Sequence, residues 1–208
     1  MNKLFPEHNK YSLDEYLSSY SKYLQKALES IDSSQLNYVF EALEKGIDSQ
    51  ATIYTCGNGG SSAIAEHLVC DFVKGASTDS NIQPKVVPLL STPIVTAIAN
   101  DVSYDEIFSF QIKKYGKEQD ILLSVSSSGN SPNIINAINT AKKMGILTIS
   151  LVGFDGGRAK DISDLALHVN ADNYGICEDA HHALMHIFAQ YLRFNNIDDN
   201  KKIGKLKF

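Results

Sequence analysis

The chain has 208 residues, 43% of them hydrophobic, enough to bury the core of one domain without a structural metal or disulfide. Its formal charge of -5 is spread along the sequence, and lysines gather only in the last residues, which argues against nucleic acid as a main partner. A phosphorylated small molecule stays open, because backbone donors bind phosphate without basic side chains.

In chain order, two helices come first. Ser12 and Glu15 have capping-box spacing, and Tyr16, Leu17, Tyr20, Leu24 and Leu28 follow at helical intervals. Leu36, Val39, Phe40, Leu43 and Ile47 repeat the pattern after Asp32-Ser33-Ser34. These helices span about 12–48, and their apolar faces must cover the sheet or a second subunit. From Ala51 onward strands and helices alternate. Strands are predicted at 51–56, 85–90, 121–126, 146–152 and 165–169, and helices at 61–74, 92–99, 104–115, 131–144 and 177–193. The pattern predicts one α/β domain over 1–208: a three-layer, doubly wound sheet of five parallel strands with helices on both faces. A tail over 194–208, with Lys201, Lys202, Lys205 and Lys207, reads as a solvated extension. In such a fold, ligands bind at loops leaving the carboxyl ends of strands.

The first such loop, Gly57-Asn58-Gly59-Gly60, has three glycines in four residues and opens into an Ala-rich helix. Glycines admit close backbone approach, Ser61 or Ser62 can cap the helix, and first-turn N–H groups point at an anion. His67 and Asp71 stand one turn apart on that helix. The loop after the third strand, Ser126-Ser127-Ser128-Gly129-Asn130-Ser131-Pro132, places Ser131 at an N-cap and Pro132 at the first helical position. Its hydroxyls, between a buried strand and a strong helix start, suit a phosphate cradle. On the last helix Glu178, His182 and His186 recur every four residues, with Asp179 and His181 beside them. Imidazoles and carboxylates at this spacing chelate a borderline divalent ion. Neither helix alone completes a tetrahedral set, whereas His67 and Asp71 from one with Glu178 and His186 from the other would. His8 and His168 stand outside this pattern and read as structural or solvent-facing.

Gly57-Asn-Gly-Gly-Ser61, Ala99-Asn-Asp101, Ser126-Ser-Ser-Gly-Asn-Ser131 and Gly153-Phe-Asp-Gly-Gly157, each after a strand in that order, resemble the sugar isomerase (SIS) domain family. Over residues 12–193 the chain is similar to its phosphoheptose isomerase branch, which converts sedoheptulose 7-phosphate to D-glycero-D-manno-heptose 7-phosphate for lipopolysaccharide or capsule precursors. The resemblance implies a phosphate loop at Ser126, Ser127, Ser128 and Ser131, and sugar contacts at Asn58, Gly59, Gly60 and Ser61. Asn100 and Asp101 are implied as a further pair at the substrate, which Glu178 also touches. One zinc ion per subunit is implied at His67, Asp71, Glu178 and His186, with Asp71 as base and His186 as acid of an enediol isomerisation. The family pattern has Glu at the position of Asp71 and Gln at that of Glu178, so a competing assignment keeps Asp71 for metal and gives the base role to Glu178. Relatives in this branch are homotetramers with shared sites.

Two alternatives come from other classes: a non-catalytic protein that senses sugar phosphates or binds a replication initiator, and an isomerase for another sugar phosphate. Ionisable residues at both acid–base positions weigh against the first. Cys56, Cys70 and Cys177 lack metal spacing and read as reduced thiols. No run approaches a membrane span, and the start through Pro6 is too broken for a signal peptide, so the expectation is a cytoplasmic protein with no membrane partner.

Overall fold

The computed structural model describes residues 5–197. Its centre is a parallel sheet of β1 (Thr52–Gly57), β2 (Lys85–Pro88), β3 (Ile121–Ser126), β4 (Leu147–Val152) and β5 (Leu165–His168), in the order β2-β1-β3-β4-β5. β3 pairs in register with both neighbours, Ile53 opposite Ile121 and Ile121 opposite Leu147. Every residue of β3 is buried, as expected for a central strand covered on both sides. Its side chains alternate between faces, so Ile121, Leu123 and Val125 enter one apolar cluster and Leu122 the other.

The first face is covered by α1 (Leu13–Glu29), α2 (Ser33–Asp48), α3 (Gly60–Cys70) and α8 (Tyr174–Asn195). The second carries α4 (Thr92–Asp101), α5 (Ser109–Tyr115), α6 (Pro132–Lys143) and α7 (Gly157–Ile162). The strand order reverses direction between β1 and β3, and at such a switch point the loops diverge to opposite faces and leave a crevice. The loops there are the two singled out above, Gly57–Gly60 and Ser126–Ser131.

The leading helices divide their work. α2 buries Val39, Leu43 and Ile47 against the sheet, while α1 packs on α8 and leaves Leu13, Tyr16 and Leu17 exposed. The capping box at Ser12 and Glu15 is present in both directions. The expected single helix over 104–115 is instead a short 3₁₀ turn, Tyr104–Glu106, followed by α5. The helix expected over 61–74 loosens after Cys70 into a π-helical turn, Asp71–Ala76. α8 starts three residues earlier than expected because the Asn173 side chain accepts from the Ile176 N–H and caps it. α7, at six residues, lies below the length at which helical periodicity shows. Of the C-terminal tail, Ile197 forms an isolated bridge with Ser80, and 198–208 lie outside the described residues. Among the described residues no helix is long and apolar enough to cross a membrane.

Leu43 is fully enclosed between α2 and the sheet. Leu43→Ala is therefore expected to cost about 2 to 5 kcal/mol in urea unfolding. A loss under about 1 kcal/mol would show that this face of α2 is not held on the sheet.

Candidate active site

The turn after β1 is shaped by its glycines. Gly59 has φ of 54° and serves as the N-cap of α3, with no side chain bonding to the first-turn N–H groups. The cap expected from Ser61 or Ser62 is therefore absent: the helix begins one residue earlier, and Ser61 is buried within its first turn. Asn58 is fixed from the other side of the crevice. Its amide exchanges hydrogen bonds of 2.9 and 3.0 Å with that of Asn133 on α6, and its Oδ1 also accepts from the Tyr104 hydroxyl at 3.0 Å. Neither Asn133 nor Tyr104 carried a sequence signal, since each lies in a helical or turn segment with no motif around it.

The Ser126–Ser131 loop is held almost wholly by backbone. Gly129 N–H donates to Ser126 O at 3.0 Å, Gly153 N–H to Ser127 O at 2.8 Å, and Ala159 N–H to Gly129 O at 2.8 Å. Gly129, at φ 62°, packs so closely on the turn before α7 that a Cβ there would collide with the Gly156 carbonyl. Asn130 reaches across as well, its Oδ1 accepting from the Arg158 N–H at 3.0 Å. Ser131 does occupy the N-cap position of α6 with Pro132 behind it, but its hydroxyl makes no cap bond. The hydroxyl of Ser127 is enclosed and has no hydrogen-bond partner among the described residues. A buried hydroxyl left unpaired is costly, and an anion oxygen in the loop would satisfy it.

The third component lies where α3 and α8 run side by side. His67 Nδ1 is 2.7 Å from His182 Nε2, and His186 Nδ1 is 2.7 Å from Asp71 Oδ2. Asp71 Oδ1 is 3.3 Å from the other ring nitrogen of His67, Nε2. One carboxylate thus joins two imidazoles, at the residue where the helix turns from α to π geometry, a distortion common at functional sites. The rings of His182 and His186 stack at 5.2 Å, and that of His67 stands perpendicular to both. A cavity of about 350 Å³ opens against His67, Asp71 and His186.

Glu178 is elsewhere. Its carboxylate lies over Gly60, so that a Cβ on that glycine would collide with both oxygens. The start of α3 favours a negative charge there, yet burial and then the neighbouring Asp179 push the Glu178 pKa above its ordinary value. Burial, and then His67 and His186, hold the His182 pKa below its ordinary value. His181 faces inward and is fully enclosed, and burial pushes it down to about 4, so it stays neutral.

Of the expected four-residue metal set, His67, Asp71 and His186 are together, Glu178 is at the glycine turn, and His182 stands with the other two imidazoles. Donor atoms of His67, His182 and His186 lie within 4.8 Å of one another, a nitrogen-rich set that suits zinc. Asn100 and Asp101 end α4 exposed, and Asn100 donates to Asp101 at 2.7 Å. Among the described residues neither bonds to the turn or to the imidazoles. Cys56 and Cys177 are buried and Cys70 is exposed, all as free thiols. His168 is anchored by Phe154 O and Lys160, and His8 stacks on Tyr11, away from the site.

The SIS domain family profile matches residues 15–153, two thirds of the chain. The chain belongs to the SIS domain family. Within it, the phosphoheptose isomerase of Helicobacter pylori strain P12 is 35% identical over 164 residues, covering 79% of this chain and 85% of that protein. The phosphoheptose isomerase of Clostridium acetobutylicum is 36% identical over 153 residues, covering 74% and 78%. The phosphoheptose isomerase structure from Neisseria gonorrhoeae superposes with a TM-score of 0.79 at 28% identity, covering 87% of this chain and 98% of that one. The chain is thus a SIS protein of the phosphoheptose isomerase branch. The SIS profile stops at 153, short of α8, so the roles of Glu178, His182 and His186 rest on geometry.

Ser127→Ala removes no hydrogen bond from the free protein. It is expected to leave the melting temperature nearly unchanged while weakening sugar phosphate binding in calorimetry by about 1.5 to 3 kcal/mol, roughly tenfold to a hundredfold. Unchanged affinity would remove this hydroxyl from the phosphate loop.

Proposed function

We propose that the protein is an aldose–ketose isomerase converting sedoheptulose 7-phosphate to D-glycero-D-manno-heptose 7-phosphate, supplying heptose for lipopolysaccharide or capsule precursors. The relatives named above support the substrate, and the observation that carries the chemistry is the imidazole–carboxylate cluster beside a glycine turn and a hydroxyl-lined loop at one switch point.

In this reading the Ser126–Ser131 loop takes the phosphate through backbone N–H groups and the Ser127 hydroxyl, and the sugar runs over Asn58–Gly60. The reaction removes a proton from C1 of the ketose, forms the C1–C2 enediol, and returns a proton to C2 as the C1 hydroxyl becomes the aldehyde. It needs one group at carbon and another at oxygen. We assign the carbon-bound proton to Glu178. Its carboxylate stands at the sugar-lining turn, has no side-chain hydrogen-bond partner among the described residues, and is made more basic by burial and Asp179. The proton that O1 loses is the one that O2 gains, and His186, its ring held at Nδ1 by Asp71, presents Nε2 on the side of the oxygens. The resemblance gives the base role to Asp71 instead. Both Asp71 oxygens already face imidazole nitrogens, which favours an orienting role. A divalent ion bound at the cluster would supply positive charge for the oxygens of the enediol.

Self-association into a tetramer is part of the proposal. It is supported by apolar side chains left exposed on α1 (Leu13, Leu17) and α8 (Ile187, Tyr191, Phe194).

The wild-type enzyme is expected to convert sedoheptulose 7-phosphate in an NMR assay. Glu178→Gln should lower kcat by about a hundredfold or more with substrate binding retained. Asp71→Asn, which keeps the shape but loses the charge and one of the two acceptor oxygens, should be impaired less severely. A near-normal Glu178→Gln with an inactive, metal-loaded Asp71→Asn would return the base role to Asp71. No conversion by the wild type would contradict the proposed reaction.

A further inference from the structure

We propose that the divalent ion is held by three imidazoles, His67, His182 and His186, with Asp71 outside the ligand set and Glu178 free of the metal. The inference rests on the metal-assisted isomerase reading and changes which residues do the holding.

Ring orientation carries it. His67 turns Nδ1 toward His182 and Nε2 toward Asp71. His186 turns Nδ1 toward Asp71, leaving Nε2 as its lone-pair nitrogen. The carboxylate bonds Nδ1 of His186, which leaves Nε2 of that ring for a cation, and stands 3.3 Å from Nε2 of His67, the relation of an outer carboxylate to metal-bound histidines. His67 Nδ1 meets His182 Nε2, which supplies the third imidazole, and one donor atom from each ring lies within 4.8 Å of the others.

A tetrahedral zinc with bonds of about 2.0 to 2.1 Å sets its nitrogens roughly 3.3 Å apart, so a small ring rotation opens the 2.7 Å pair of His67 and His182 to that spacing. Three protein ligands leave one position open, as catalytic zinc sites do, for a substrate oxygen. Glu178 sits one turn before His182 on the same face of α8, but its carboxylate is drawn to the start of α3 over Gly60, where it is kept from the imidazoles. The alternative is that His67 and His182 share an ordinary imidazole hydrogen bond with no metal role.

The test measures bound metal directly. Protein purified without chelator is assayed for zinc by mass spectrometry and for affinity by competition with a chromophoric chelator, and cobalt-loaded protein is examined by visible absorption. Glu178→Gln is expected to keep the wild-type stoichiometry and cobalt spectrum. His182→Ala and His182→Gln should weaken zinc at least a hundredfold while their melting curves show a folded protein. Asp71→Asn should weaken it about tenfold to a hundredfold, the usual effect of losing an outer partner. Zinc lost in Glu178→Gln, or retained at wild-type affinity in either folded His182 variant, overturns the proposal. A wild type that binds no zinc or cobalt overturns it too, and isomerisation by that metal-free protein would show the functional reading standing without it.

Discussion

The site depends on how α3 lies against α8. His67 meets His182 and Asp71 meets His186, each pair 115 residues apart, so the two helices run side by side in the same direction and in constant register. Small and apolar residues on the facing sides make this approach: Ala65, Leu68 and Phe72 from α3 and the π-helical turn after it, Ala180 and Leu184 from α8. Because both helices cover the same sheet face, their polar stripes meet along the outer edge of the contact, and residues four apart on each come into pairs. Glu178 departs from that register: it lies over Gly60, whose missing side chain makes the space that the carboxylate fills.

The rest of the fold keeps that contact in place relative to the phosphate loop. The parallel strand order brings the loops after β1 and β3 to one crevice, and the Asn58–Asn133 amide pair bridges it. Gly153 links the loop to α8 in two ways. Its N–H donates to Ser127 O, and its lack of a side chain lets Cys177, the neighbour of Glu178, pack against it. Ser127 and Glu178 are therefore set on one continuous piece of packed backbone, which under the proposed function would position phosphate and proton acceptor on a seven-carbon substrate.

The sheet was readable in the sequence because each strand is a short, largely apolar run ended by a loop with its own turn chemistry. All five strands fall within two residues of expectation at either end. Local backbone detail was less readable. The glycine that caps α3 at positive φ makes a serine cap unnecessary, and the π-helical turn at Asp71 has no periodic signature. At the site, the spacing of Glu178, His182 and His186 marked the correct face of α8 but could not say which of the three meets His67. That depends on the sliding register of two helices more than a hundred residues apart, which only packing decides. His67 meets His182, and the two carboxylates are separated in place: Asp71 among the imidazoles, Glu178 at the glycine turn.

The most direct measurement is hydrogen exchange at the reacting carbons. Glu178 is only part-buried, so a proton held by its carboxylate can exchange with water during turnover. Wild-type enzyme acting on sedoheptulose 7-phosphate in D₂O is expected to place deuterium at C2 of the aldose product and at C1 of the recovered ketose, both seen by NMR. Product formed with no deuterium at either carbon would contradict proton transfer through a solvent-reachable carboxylate.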